Sequence, residues 1–131
     1  MKTKILSVRQ PYAGLLCLGL KPEEYRSWKT DFRGKLLIHS TAKADEELRF
    51  KDLDPDEQKD ILEVVKDPAV FDHAMSLHSA IIGSVDVVDC EMLGEGDYAW
   101  VVENPVLFDH PIEGIKGKLG LWDYDLPKGW E

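Results

Sequence analysis

A chain of 131 residues, 44% hydrophobic and 31% charged, has the size of one compact domain spanning 1–131 and able to bury about two thirds of its unfolded surface. Its apolar runs, such as Ala80 to Gly83, are far too short to cross a bilayer, and Cys17 and Cys90, without a CxxC pair, indicate neither a disulfide framework nor a zinc cluster. The net charge of −9 argues against nucleic-acid binding by the whole surface, yet residues 1–43 hold nine lysines and arginines against three carboxylates, a net of +6 that leaves −15 for the rest.

Such asymmetry can focus an anionic ligand onto one face. At the N-terminus, Lys2 and Lys4 precede Ile5-Leu6-Ser7-Val8, but Arg9 and Gln10 end the apolar stretch too early for a signal peptide, so a cytoplasmic protein is expected. Lys4 to Val8 reads as a strand. Pro11 suits the first turn of a following helix through Tyr12, Leu15, Leu16 and Leu18, which Gly19 stops in the manner of a C′ residue. Lys21, preceding proline, is steered toward extended backbone, and a strand over Glu23 to Trp28 places Glu24, Arg26 and Trp28 on one face. Arg33-Gly34 then turns into a strand over Lys35 to Ser40.

Asp54-Pro55-Asp56-Glu57 combines a capping residue, proline at the first helical position and glutamate three after the cap. It announces a helix through Ile61, Leu62 and Val65, with a shorter helix over Val70 to Leu77. From Ala80 the pattern is β: Ile81 to Cys90, Tyr98 to Glu103, Val106 to Phe108 and Leu119 to Tyr124, interrupted by glycines and by Asn104-Pro105. Strands at both ends and a helical middle predict an α+β fold, a small mixed or antiparallel β-barrel with flanking helices. Gly114, Gly117 and Gly120 fit a strongly bent late strand.

Several chemistries find no support. The acidic run from Asp52 to Glu63 imitates a calcium loop, but Glu57 stands where that loop needs glycine. His39, His73, His78 and His110 lack metal-ligand spacing, so no metal is expected. Ser7, Ser40 and Ser84 lie outside any G-x-S-x-G context, and dinucleotide and phosphate-loop fingerprints are missing, so neither a serine hydrolase nor a cofactor is indicated. Both cysteines read as buried thiols.

What remains is Gly19 to Arg26, where Lys21, Glu23, Glu24 and Arg26 crowd a helix-to-strand junction. An ordinary lysine, with a pKa of about 10.4, is a cation suited to clamping phosphate, and two adjacent carboxylates favour that form. Lys21 therefore reads as a clamp or an ion-pair member, and the pair Glu24 and Arg26 serves either a ligand or the cohesion of strand and helix. Four tryptophans, Trp28, Trp100, Trp122 and Trp130, with four tyrosines, supply mostly core. One or two of these aromatics beside Arg9, Lys21 and Arg26 would form a stacking platform for an unpaired base.

Leu6-Ser7-Val8-Arg9-Gln10-Pro11-Tyr12, the Gly19-x-Lys21-x-x-Glu24-x-Arg26 segment, Leu37-Ile38-His39-Ser40, Trp100 to Pro105 and Gly117 to Trp122 together resemble the ASCH domain family over nearly the whole chain. The resemblance implies a PUA-like barrel with a cleft beside Lys21, Glu24 and Arg26, and binding of RNA or a modified nucleoside in RNA metabolism, translation or transcription-linked regulation. It implies Arg9, His39 and Ser40 as neighbours of the cleft, and Trp28 joins the candidate ligand-binding set from the strand pattern. Some members resemble amidohydrolases of N4-acetylcytidine that use a lysine at the place of Lys21, a threonine at the place of Glu24 and a further glutamate. Here Glu24 replaces the threonine, and Glu103 is the candidate for the other position. A small hydrolase or ribonuclease using Lys21 and Glu24 is the alternative, and an interaction module using the acidic helix from Asp54 to Val65 is a third reading. No membrane partner is expected.

Overall fold

Apolar residues stand on both faces of the strands through Ile5 to Val8 and Leu36 to Ile38, and this places those two strands inside the sheet. The computed structural model describes residues 2–129, so Trp130 lies outside the described residues. Its strands are β1 (Lys2–Val8), β2 (Glu23–Arg26), β3 (Gly34–Ser40), β4 (Ala80–Gly94), β5 (Asp97–Glu113) and β6 (Leu121–Asp125). Helix α1 (Tyr12–Cys17) follows β1, and α2 (Pro55–Val64) and α3 (Pro68–Met75) lie between β3 and β4.

The six strands form one sheet in the order β2-β5-β4-β3-β1-β6, with β1 and β3 parallel and the other neighbours antiparallel. The expected α+β class holds, but the expected barrel does not close: among the described residues no ladder joins β2 to β6. The two edge strands are four and five residues long, and β6 pairs with β1 only as far as Leu6 opposite Leu121. Ser7 and Val8 therefore run on past the end of β6.

On one face of the sheet, Leu6, Val8, Leu36, Ile38, Val85 and Trp100 pack against Ala13, Leu16 and Cys17 of α1. On the other, Ile5, Leu37 and Ile81 are covered by Ile112, Ile115 and Trp122. Period-two alternation sorts β1 and β3 between the two layers, whereas register shifts in β4 place both Ile82 and Val85 in the layer under α1. Burial pushes the Cys17 thiol far above its ordinary range, whereas Cys90 is half-buried and so departs from the expectation of two buried thiols.

Helix α1 ends as the sequence predicts. Gly19 adopts φ +80°, its N–H donates to Leu16 and that of Leu20 to Leu15, a Schellman closure that needs a residue tolerant of left-handed backbone. Asp54 caps α2, with its side chain accepting from the Glu57 N–H at 2.9 Å and the Glu57 side chain accepting from the Asp54 N–H at 3.2 Å. That carboxylate is thereby committed to the helix end.

Asn104-Pro105 does not separate two strands. β5 continues through it, and the register steps from Glu103 opposite Asp86 to Val106 opposite Ser84. The pair is absorbed in a bulge, where proline's missing N–H interrupts nothing. Asn104 takes φ 52° there and donates to Asp86 at 2.9 Å. Gly114, Gly117 and Gly120 lie not in a bent strand but in the loop between β5 and β6.

Candidate functional site

The seam where the sheet fails to close is spanned by a side chain. Ser7 has a carbonyl with no β6 partner, and Arg26 Nη2 donates to it at 2.9 Å, linking edge strand β2 to β1. The same guanidinium holds Glu24 Oε2, from Nε at 3.0 Å and from Nη2 at 2.8 Å. Lys21 Nζ approaches Glu24 Oε1 at 3.2 Å and also donates to the Glu23 carbonyl.

These charges are largely shielded, with side-chain exposures of 9% for Glu24, 16% for Lys21 and 25% for Arg26. One carboxylate thus sits between two cations, and the triad carries a net positive charge. Lys21 Nζ also lies 4.7 Å from the Tyr25 ring centroid and 5.8 Å from that of Tyr12, where ring quadrupoles attract it further.

Around the triad opens a cleft of about 930 Å³. One wall is Leu6 to Arg9 with Tyr12, a second is Lys21 with Glu24 to Arg26, and a third is Gly117 to Gly120, with Thr41 and Asp45 completing the rim. Buried Gln10 fixes the first wall, donating to the Ala74 and Leu77 carbonyls at 2.7 and 2.9 Å and accepting from the Gly14 N–H at 2.9 Å. Arg9 reaches Asp45 at 2.9 Å on the rim, and Lys118 stands over the Trp122 ring at 5.3 Å. The cleft thus gathers four cationic side chains against two carboxylates.

Of the residues singled out in the sequence, Arg9, Lys21, Glu24 and Arg26 converge on this cleft. Trp28 does not line it: its ring meets Trp100 edge-on at 4.7 Å, and its carbonyl accepts from Trp100 Nε1 at 3.2 Å. Ser40 is fully buried and donates to the Ala80 carbonyl at 3.3 Å. His39 is buried behind the wall, bonded to Ser7 Oγ at 3.0 Å and to the Ile115 carbonyl at 2.6 Å. Glu103 is exposed on β5 and is not among the lining residues.

Sequence reasoning missed the two tyrosines as specific lining residues, although Tyr12 opens α1 beside Pro11 and Tyr25 interrupts the charged row. It also missed Ser7 and the 117–120 loop, whose approach depends on pairings that no local pattern encodes. Among the described residues, no three His, Cys, Asp or Glu side chains cluster as metal ligands.

The ASCH domain family matches residues 6–107, a span that includes Leu6 to Val8 of β1, the triad and the first two walls of the cleft, but not the wall from Gly117 to Gly120. The chain belongs to the ASCH domain family. It is 30% identical over 135 positions to activating signal cointegrator 1 of Homo sapiens and 28% identical to the protein of that name from Mus musculus. Each alignment covers 92% of this chain and 22% of the relative, so this ASCH chain spans about a fifth of the length of those curated relatives.

Proposed function

We propose that the seam cleft binds single-stranded RNA or a modified nucleoside, in a setting linked to RNA metabolism or transcription-linked regulation. The observation that carries this reading is the pairing of cations with accessible aromatic rings: Tyr12 is 37% and Tyr25 is 54% exposed, and both flank Lys21. Phosphate or sugar oxygens would be held by Arg9 and Lys21, while a base stacks on a tyrosine and Glu24, aimed by Arg26, accepts a base amino proton. The volume suits a nucleoside-sized ligand, since such sites commonly measure about 300–1,000 Å³. Membership of the ASCH family and the similarity to a protein named as an activating signal cointegrator support the same direction. In this proposal the PUA-like barrel of the family corresponds to the open sheet, with the ligand lying along its unclosed seam.

The test is titration of a fluorescent single-stranded RNA at two salt concentrations. Lys21→Ala is expected to weaken binding about tenfold and to reduce the salt slope by about one phosphate contact. An unmutated protein without RNA or nucleoside affinity at either salt ends the proposal.

A second reading is hydrolysis of an acylated base or of RNA by Lys21 and Glu24, favoured by their 3.2 Å approach within the cleft. Arg26 stands against it by engaging the second oxygen of Glu24. Chromatography after incubation with N4-acetylcytidine and with labelled RNA separates the two readings, because product lost in Lys21→Ala supports turnover by this pair.

A further inference from the structure

We propose that Ser7 and His39 form a nucleophile and general base in the cleft wall, acting on acyl esters carried by a nucleotide. The nucleotide part of that substrate class follows from the binding reading above; the acyl chemistry follows from the pair itself. Ser7 lines the cleft, and its Oγ lies 3.0 Å from His39 Nδ1. On the far side of the ring, Nε2 lies 2.6 Å from the Ile115 carbonyl oxygen. That oxygen can only accept, so Nε2 carries the ring proton and Nδ1 is left as the acceptor facing the serine hydroxyl. The arrangement is nucleophile, base and orienting acceptor, with a main-chain carbonyl as the third group.

Three further features serve this chemistry. Burial of the imidazole holds His39 below its ordinary pKa of 6.5, against the opposing pull of the Ile115 carbonyl, so the ring is a free base at neutral pH. When it takes a proton, both N–H groups already face acceptors, Ser7 Oγ and the Ile115 oxygen. Arg26, fixed on the Ser7 carbonyl, places a cation beside the nucleophile where negative charge develops on an attacked carbonyl.

Gly117 lets the loop pass over the pair. A Cβ there would stand 2.9 Å from Ser7 Oγ and 3.0 Å from His39 Cε1, so any side chain would displace one or the other. No local pattern announces this pairing, because the two residues stand 32 positions apart on strands β1 and β3 and match no nucleophile motif.

In the reaction, Ser7 Oγ attacks the acyl carbon as its proton passes to His39 Nδ1. The ribose alcohol leaves with that proton, and the acyl group remains as an ester on Ser7. Water then attacks the acyl-serine, giving a proton to His39. Collapse releases the carboxylic acid, and the proton returns to Ser7. No oxidant or metal is required for the balance.

The test starts with the unmutated protein and a fluorophosphonate probe, whose phosphorus–oxygen bond forms on an activated serine as fluoride leaves. Labelling mapped by mass spectrometry to Ser7, and reduced on the order of 100-fold in a His39→Gln protein that stays folded at the labelling pH, is the expected result. Absence of label on Ser7 in the unmutated protein overturns the proposal, as does equal labelling of a folded His39→Gln protein. For substrate class, hydrolysis of the ribose acetyl ester of adenosine 5′-monophosphate should exceed that of 4-nitrophenyl acetate in kcat/KM; the reverse order removes the nucleotide part. A protein that binds RNA but is not labelled loses this inference and keeps the binding reading, and one that is labelled without RNA affinity does the opposite.

Discussion

The middle of the sheet and its seam solve the same problem by opposite means. Between β3 and β4 the backbone groups pair with one another across seven residue pairs, from Gly34 opposite Val87 to Ser40 opposite Ala80, and the side chains there are left to pack. At the seam the ladders run out, and Arg26 supplies by side chain the bond that a neighbouring strand would have made to Ser7. Saturated backbone leaves nothing for a ligand to recognise; a seam stitched by charge gathers cations, a carboxylate and a hydroxyl within one concavity. Substitutions in the middle should therefore register mainly as lost stability, and substitutions at the seam should affect stability and ligand response together.

The largest effect tests the middle. Ile38, on β3 opposite Gly83 of β4, is fully buried in the layer under α1, and Ile38→Ala should cost about 4 kcal/mol in urea denaturation. A cost near that of a surface substitution would mean that the layer under α1 is not the main core.

Next in size is Glu24→Ala, which strands Lys21 and Arg26 facing each other with little solvent. A loss of about 3 kcal/mol is expected, accompanied by a change in RNA affinity that Ile38→Ala, if still folded, does not produce at equal RNA concentration. Stability lost with affinity intact would make the triad a structural stitch alone and weaken the contrast between the two regions.

The smallest effect comes from pH. His39 has a folded pKa below 6.5, chiefly through burial, so the unfolded chain binds its proton more readily than the native one. Its contribution is complete above the unfolded value near 6.5 and is lost as pH falls through the lower native value. Comparing unfolding midpoints of the unmutated protein and His39→Gln from pH 7.5 downward checks this, and parallel curves would assign the acid sensitivity elsewhere.

Local chemistry made much of the frame legible before any coordinates. The stop at Gly19, the capping box at Asp54 and the strand expected over Lys35 to Ser40 depend on short-range rules, and all three are found, the strand starting one residue earlier at Gly34. The Lys21, Glu24 and Arg26 triad was also legible, because alternate positions on a strand share a face and the lysine reaches that face from the preceding turn. What the sequence concealed depends on distance along the chain. Asn104-Pro105 looked like an interruption because proline cannot serve a regular ladder, and only the opposing strand shows that a bulge accommodates it. Trp28 shared a predicted face with Arg26, but the strand ends at Arg26 and the tryptophan turns to Trp100. Closure of the sheet could not be judged from strand count, since it depends on how far β2 and β6 extend toward each other.

The double duty of Arg26 has a mechanical consequence. A guanidinium that both neutralises Glu24 and tethers the neighbouring strand is a shared bolt, so an anion that draws it into the cleft competes with the cohesion of the sheet's open border. Occupancy and edge breathing then become a single equilibrium, and amide exchange along β2 would register a guest that never touches those amides.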